Sequence, residues 1–352
     1  MGGRPPRAIV FGCGGPALTV AERRFFAGAD PLGFILFARN CLDPQQVRAL
    51  VQELRAAVGR DAAPVLIDQE GGRVARLRPP HWRVAPAASR FSDLARGDAA
   101  AGQEAAWLNA RLLADELAAL GITVDCAPVL DVPQPGGHPV IGDRAAGDTA
   151  ERAATLGRAW CEGLLAGGVL PVIKHIPGHG RATVDSHAAL PVVDADRPSL
   201  ESVDWVPFRA LAAMPWAMTA HVVYTALDPE APATTSTKVI DGVIRRAIGF
   251  DGVLVSDDLC MGALGGSVGE RVGAALAAGC DIVLHCNGVL AEMEAAAAAC
   301  PGLTPAARYR LERAEAMREP SQPFDRAAAL ARLDELLAAL PEPRSVTTQQ
   351  PA

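Results

Sequence analysis

Long uninterrupted apolar runs are missing from this sequence of 352 residues. None approaches the ~18 residues that mark a membrane-spanning helix, because glycine, proline or a charge interrupts each candidate. An excess of positive charge is missing as well: Lys+Arg number 33 against 40 Asp+Glu, a formal net charge of −7. Such a balance lacks the basic footprint that holds a phosphate backbone. Neither a membrane nor a nucleic acid is therefore an expected partner. No CxxC pair occurs among the 8 cysteines, several of which sit in apolar segments, so buried thiols in a reducing compartment are expected in place of disulfides or a zinc framework. At the start, Arg4 and Arg7 precede an apolar stretch, but Ala8 to Phe11 is too short for the ~7–15-residue core of a secretory signal. Pro6 stands where an acylation signal on Gly2 would carry Ser or Thr. A cytoplasmic protein is expected.

What is present is a chain 50% hydrophobic and 21% charged, able to bury a large core. Short runs rich in Val, Ile, Leu and Phe alternate with helical patterns along its length. They are Ala8–Phe11, Gly33–Phe37, Pro64–Ile67, Ile122–Leu130, Val169–Lys174, Trp216–His221, Gly252–Asp257 and Asp281–Cys286. One intervening helix is readable in detail, with Asp43 as N-cap, Pro44 at the first helical position and Gln46 reaching back. Val47, Leu50, Val51, Leu54 and Val58 then recur at helical spacing. Similar patterns cover Thr149–Leu165, Ser236–Ile248 and Val268–Ala278. Strand–helix alternation of this kind predicts an α/β fold, a single-domain (β/α)8 TIM barrel over residues 1–342, closed by two helices near Pro305–Glu319 and Asp325–Leu340. The polar tail 343–352 is expected to be disordered.

A barrel of this type carries its chemistry where the strands end, so the residue that follows each run is the useful observation. The second run ends in Arg39 and Asn40, the third in Asp68, Gln69 and Glu70. Asp131 and then Arg144 follow the fourth, Lys174 and His175 end the fifth, His221 ends the sixth, and Ser256, Asp257 and Asp258 end the seventh. Any one of these could be a cap or a structural ion pair. Several of them on one rim point to a polar pocket.

The segment after the fifth run, Lys174 to Pro191, reads KHIPGHGRATVDSHAALP and shows neither helical nor strand periodicity in its first part. A loop of this length in a compact domain is usually functional or disordered, and Pro177, Gly178 and Gly180 permit sharp turns that would let it close over the barrel mouth. Asp185 and His187 lie two apart, so in an extended stretch they point the same way. The carboxylate can then orient the imidazole for proton exchange near neutral pH. With a strand-borne carboxylate, Asp257 or Asp258, as a nucleophile on the rim, the set suits cleavage of a glycosidic bond with a small sugar as the partner molecule.

These segments resemble glycoside hydrolase family 3, in particular its single-domain bacterial β-N-acetylglucosaminidases of peptidoglycan recycling. The resemblance rests on GFILFARN (33–40), IDQEGGRV (67–74), APVLDV (127–132), VIGDR (140–144), KHIPGHG (174–180), DSH (185–187) and FDGVLVSDDLCM (250–261), in order over nearly the whole chain. It implies Asp257 as the nucleophile of a covalent glycosyl-enzyme and His187 as the acid/base oriented by Asp185. It also implies Asp68, Arg144, Lys174 and His175 as the groups that bind N-acetylglucosamine. The substrate it implies is a muropeptide bearing N-acetylglucosamine on 1,6-anhydro-N-acetylmuramic acid, with no cofactor and no metal. The residues alone leave Asp257 and Asp258 as alternatives; the family pattern chooses the first. Ala145 and Ala146 depart from the Ser-Phe often found after GDR, and Ile176 stands where Phe is commoner.

Other readings remain open at this point. A β-glucosidase-like or phosphorolytic member of the same family is one. A zinc-dependent amidohydrolase-like barrel built on His175, His179, His187, His221, Asp185 and Asp257 is another, although the first run lacks the HxH pair such barrels usually carry. GCGGPA at 12–17 loosely matches a dinucleotide fingerprint, but no acidic residue follows the second run. The oligomeric state is not readable.

Overall fold

A computed structural model describes residues 5–186, 189–338 and 340–341. Its strands in chain order are β1 (Arg7–Phe11), β2 (Pro31–Leu36), β3 (Val65–Ile67), β4 (Val124–Asp125), β5 (Leu170–Ile176), β6 (Val192–Val193), β7 (Trp216–Thr219), β8 (Val223–Tyr224), β9 (Val253–Asp258) and β10 (Ile282–His285). Eight of them form a closed parallel barrel in the order β1, β2, β3, β4, β5, β7, β9, β10, with β10 pairing back on β1. The short β6 and β8 form a separate parallel pair. The protein is a (β/α)8 barrel, and each of the eight apolar runs supplies one barrel strand. Continuous Val, Ile and Leu suit strands that are covered on both faces, by helices outside and by packed side chains inside. β2 and β5 are buried at every position.

The fourth run is strand only at Val124–Asp125, not over Ile122–Leu130. Pro128 lacks the N–H that a ladder needs and breaks the regular pairing. The chain nevertheless continues alongside β5, with Lys174 N donating to Pro128 O at 3.2 Å and Leu130 N to Lys174 O at 2.7 Å. This irregular stretch delivers Asp131 to the rim.

Helices form where the periodicity placed them: Pro44–Val58, Ala150–Ala166, Lys238–Ile248 and Val268–Ala278, then Pro305–Ala316 and Arg326–Ala338 at the end. The Asp43 carboxylate accepts from Gln45 N and Gln46 N, and the Gln46 amide oxygen accepts from Leu42 N, one residue earlier than a capping box would place it. Two further helices, Ala88–Gly97 and Ala99–Ala118, lie between β3 and β4, and the second has no clear amphipathic stripe. The second is buried on nearly all faces from Ala105 to Leu117. It lies so close to Ala150–Ala166 that a Cβ on Gly163 would come within 2.5 Å of Trp107 O. All eight cysteines are free thiols, as expected. Among the described residues no helix is long and apolar enough to cross a membrane. The polar tail beyond residue 341 lies outside the described residues.

Candidate active site

The carboxyl ends of β3 and β5 meet in a buried charge network. Lys174 Nζ lies 2.8 Å from Asp68 Oδ1 and 2.7 Å from Glu70 Oε1. Glu70 in turn takes both arms of the Arg144 guanidinium, each at 2.8 Å. Arg76 approaches the other Asp68 oxygen at 3.4 Å. Burial alone would push these carboxyls up, but Arg144 and Lys174 hold Glu70 well below the usual carboxylate range, and Lys174 and Arg76 lower Asp68 from its ordinary value. Burial would likewise lower Lys174, and the two carboxylates hold its ammonium above its ordinary value. The network therefore stays charged at neutral pH and presents fixed cations and oxygens at the barrel mouth.

A second chain of contacts runs from β4 through β5 to β9. Asp131 is fully buried; its Oδ1 accepts from His175 N at 3.1 Å and His179 N at 2.6 Å, and its Oδ2 lies 2.7 Å from His175 Nδ1. A carboxylate on Nδ1 assigns the proton to that nitrogen and turns Nε2 toward the rim. There Nε2 is 4.0 Å from Asp257 Oδ2. Asp257 keeps 20% of its side chain exposed. Asp258 is used differently: its Oδ1 accepts from Cys260 N at 3.0 Å and Cys286 N at 3.1 Å, which fastens the turn after β9. Its backbone N–H donates to Asp257 Oδ1 at 2.8 Å and so helps to orient that carboxylate. Of the two neighbours, Asp258 is the one with an oxygen committed to the backbone of the turn. His221 lies under the rim with Nδ1 at 2.7 Å from Thr234 Oγ1 and Nε2 at 3.0 Å from Asp258 O.

The loop after β5 is pinned at its base. Gly180 O accepts from Gln134 N at 3.1 Å and Ala182 O from His138 N at 2.7 Å. Gly178 holds a φ of +128°, and a Cβ on Gly180 would lie 2.0 Å from Val132 O, so both glycines are required by shape. Farther along, Thr183, Val184 and Leu190 are exposed while Ser186 is buried. Ser186 Oγ is 3.3 Å from His179 Nε2, and Ser186 O accepts from Ala263 N at 3.2 Å, in the segment that follows β9. The loop thus bends across toward the Asp257 turn. Asp185 precedes this anchor; His187, the predicted acid/base, lies outside the described residues.

Asp68, Arg144, Lys174, His175 and Asp257 are therefore gathered on one rim. Glu70, Asp131 and His179 belong to the same network, although the sequence had not placed them among the site residues. A signal for Glu70 existed: it stands two residues after Asp68, the separation that puts two side chains on one side of an extended segment. The Arg144–Glu70 and His175–Asp131 contacts join residues far apart in the chain and left no local pattern.

Comparison with known proteins resolves the class. The Glycosyl hydrolase family 3 N terminal domain profile matches residues 29–309. The chain belongs to glycoside hydrolase family 3. Among curated proteins of this family, a beta-hexosaminidase of Alkalilimnicola ehrlichii is 41% identical over 283 residues, 79% of this chain and 80% of that one. A beta-hexosaminidase of Pseudomonas aeruginosa is 39% identical over 310 residues, 86% and 90% of the two chains. NagZ of Neisseria gonorrhoeae, solved in complex with N-trifluoroacetyl-D-glucosamine, superposes with a TM-score of 0.84 at 32% identity, covering 96% of this chain and all of that one. The family 3 chain is a glycoside hydrolase, and the amidohydrolase-like alternative falls with that assignment.

Proposed function

We propose that this glycoside hydrolase is a retaining β-N-acetylglucosaminidase. In this reading it removes the non-reducing N-acetylglucosamine from muropeptide fragments in which that sugar is linked to 1,6-anhydro-N-acetylmuramic acid. An Asp257 oxygen attacks the anomeric carbon while the protonated His187 imidazole gives its proton to the departing oxygen, which leaves a glycosyl-Asp257 ester. Water then attacks the same carbon, His187 takes its proton, and the Asp257 carboxylate is released, so two inversions return the β configuration. Asp185 orients the imidazole and favours its charged form. Asp68, Lys174 and Arg144 hold sugar hydroxyls, and His175, fixed by Asp131, stands beside the nucleophile. Ala145 and Ala146, both buried, shape the wall next to Arg144.

The observation that carries this reading is the division of labour after β9: Asp258 Oδ1 is committed to two backbone N–H groups of the turn, while Asp257 stands 4.0 Å from His175, beside the charged rim. The anchor of Ser186 on Ala263 supports the loop assignment, because it brings the chain around Asp185 to the nucleophile's side of the mouth. The hexosaminidase and NagZ relatives support the choice of amino sugar. A cytoplasmic location belongs to the same proposal and agrees with eight unpaired thiols. The test is turnover of a chromogenic β-N-acetylglucosaminide with the β-glucoside as control. Preference for the former is expected; turnover of the glucoside alone makes the chain a β-glucosidase. Dependence on added phosphate, with sugar 1-phosphate as product, makes it a phosphorylase.

A further inference from the structure

Behind the turn that carries Asp257, three side chains with metal-binding atoms converge without any role in the sugar chemistry. Cys260 follows β9, His285 ends β10, and Glu292 lies in the first turn of the helix Leu290–Ala299. One ligand atom from each falls within 4.8 Å of the others. His285 is fully buried, yet neither of its ring nitrogens has a hydrogen-bond partner. A buried imidazole with both nitrogens unmatched is unusual, since buried polar groups are normally satisfied by protein, water or an ion. Its ring is held edge-on against Phe11 with centroids 5.8 Å apart, so it does not turn away to find a partner.

The surroundings fit a cation better than a solvent bridge. His285 Nε2 lies 3.7 Å from Glu292 Oε2, near the ~3.5 Å that two ligands at ~2.1 Å from a tetrahedral ion would keep. Asn287 Nδ2 donates to that same carboxylate oxygen at 2.7 Å, the kind of outer contact that fixes a ligating carboxylate. Glu292 is 45% exposed, which leaves a route from solvent and room for a water to complete four ligands.

We propose that Cys260, His285 and Glu292 form a binding site for a borderline divalent cation, zinc first, with thiolate, imidazole and carboxylate donors. Binding replaces the thiol S–H bond with a sulfur–metal bond and releases that proton to water; no redox step is involved. The mixed donor set argues for zinc or cobalt over magnesium or calcium, which prefer oxygen alone. The ion would tie the turn after β9 to β10 and to the following helix. It would also revise the sequence-based expectation of a metal-free protein, which three ligands scattered along the chain could not overturn. The inference is independent of the proposed sugar specificity.

Cobalt titration of the full-length protein, followed by zinc competition, tests it. The wild type is expected to take one Co2+ per chain with a thiolate-to-metal charge-transfer band and the visible bands of a four-coordinate ion, both erased by Zn2+. Cys260→Ser should lose the charge-transfer band. Glu292→Gln, at a half-exposed position, should keep that band and weaken binding by at least the ~10-fold seen when even an outer-shell partner is lost. Thermal melting of each variant verifies that it is folded. Absence of Co2+ binding overturns the site, and so does a spectrum that Cys260→Ser leaves unchanged, which would place the metal elsewhere, such as at His175 and Asp257.

Discussion

The two halves of the candidate site are built on opposite plans. The β3–β5 rim is rigid: Lys174 is 2% exposed and Glu70 4%, and each makes more than one charged contact. Among the described residues of the loop after β5, burial is found at its base, at Ser186 and at Pro191, with Thr183, Val184 and Leu190 exposed in between. The rim suits binding one sugar in one pose, since fixed dipoles and charges need no reorganisation when substrate arrives. The loop suits a group that must approach, transfer a proton and let product leave. The comparison also explains why the acid/base is proposed on the loop and the nucleophile on a strand: attack needs a fixed atom, whereas proton transfer tolerates a mobile partner.

Substitutions should separate these roles. Asp257→Ala should have the largest effect, lowering kcat by ~10⁴-fold or more, as for removal of other covalent nucleophiles; retained turnover would move the nucleophile elsewhere. His187→Ala should slow hydrolysis by about 10²–10⁴-fold, with a smaller loss for nitrophenyl leaving groups that need little protonation. An equal loss for natural and nitrophenyl substrates would contradict an acid on the loop.

On the rim, Glu70→Ala should act through structure. It leaves Arg144 and Lys174 buried without their shared carboxylate, at a cost on the order of 3–5 kcal/mol, and raises KM as both cations shift. An unchanged melting temperature and KM would show that the network is not the rigid element described. A pH series sharpens the same contrast. Burial lowers His179 to about 4 from an ordinary 6.5, so the unfolded chain binds the extra proton first. Stability should therefore be full above pH 6.5 and decline as pH falls toward 4, and His179→Gln should flatten that decline. A melting temperature equally steep in the variant would assign the loss to other groups. Ser186→Ala should be mildest, about 0.5–1.5 kcal/mol, because its carbonyl contact to Ala263 survives.

The same contrast governs what the sequence revealed. The barrel strands were legible because each is a short apolar run whose burial on both faces leaves no choice of residue type. Of the residues that end them, Asp68, Lys174 and His175 were legible by position, as was the presence of a carboxylate after the seventh run. What stayed hidden depends on contacts across the barrel. Glu70 looks like a third acid in a polar turn until Arg144 and Lys174 arrive from other strands. Asp131 follows a strand that Pro128 cuts short. Asp257 and Asp258 are equivalent as bare residues; the family pattern chose the first, and the N–H groups of Cys260 and Cys286 that hold Asp258 come from contacts no local pattern shows. The helix Ala99–Ala118 escaped because burial on nearly all sides erases the stripe that marks an amphipathic helix.

Covalent trapping tests the central assignment most directly. A 5-fluoro-N-acetylglucosaminyl fluoride, which forms the glycosyl-enzyme faster than water clears it, should leave one sugar per chain, found by peptide mass spectrometry on Asp257. A label on Asp258 or any other residue, or inactivation without a label, would contradict the account.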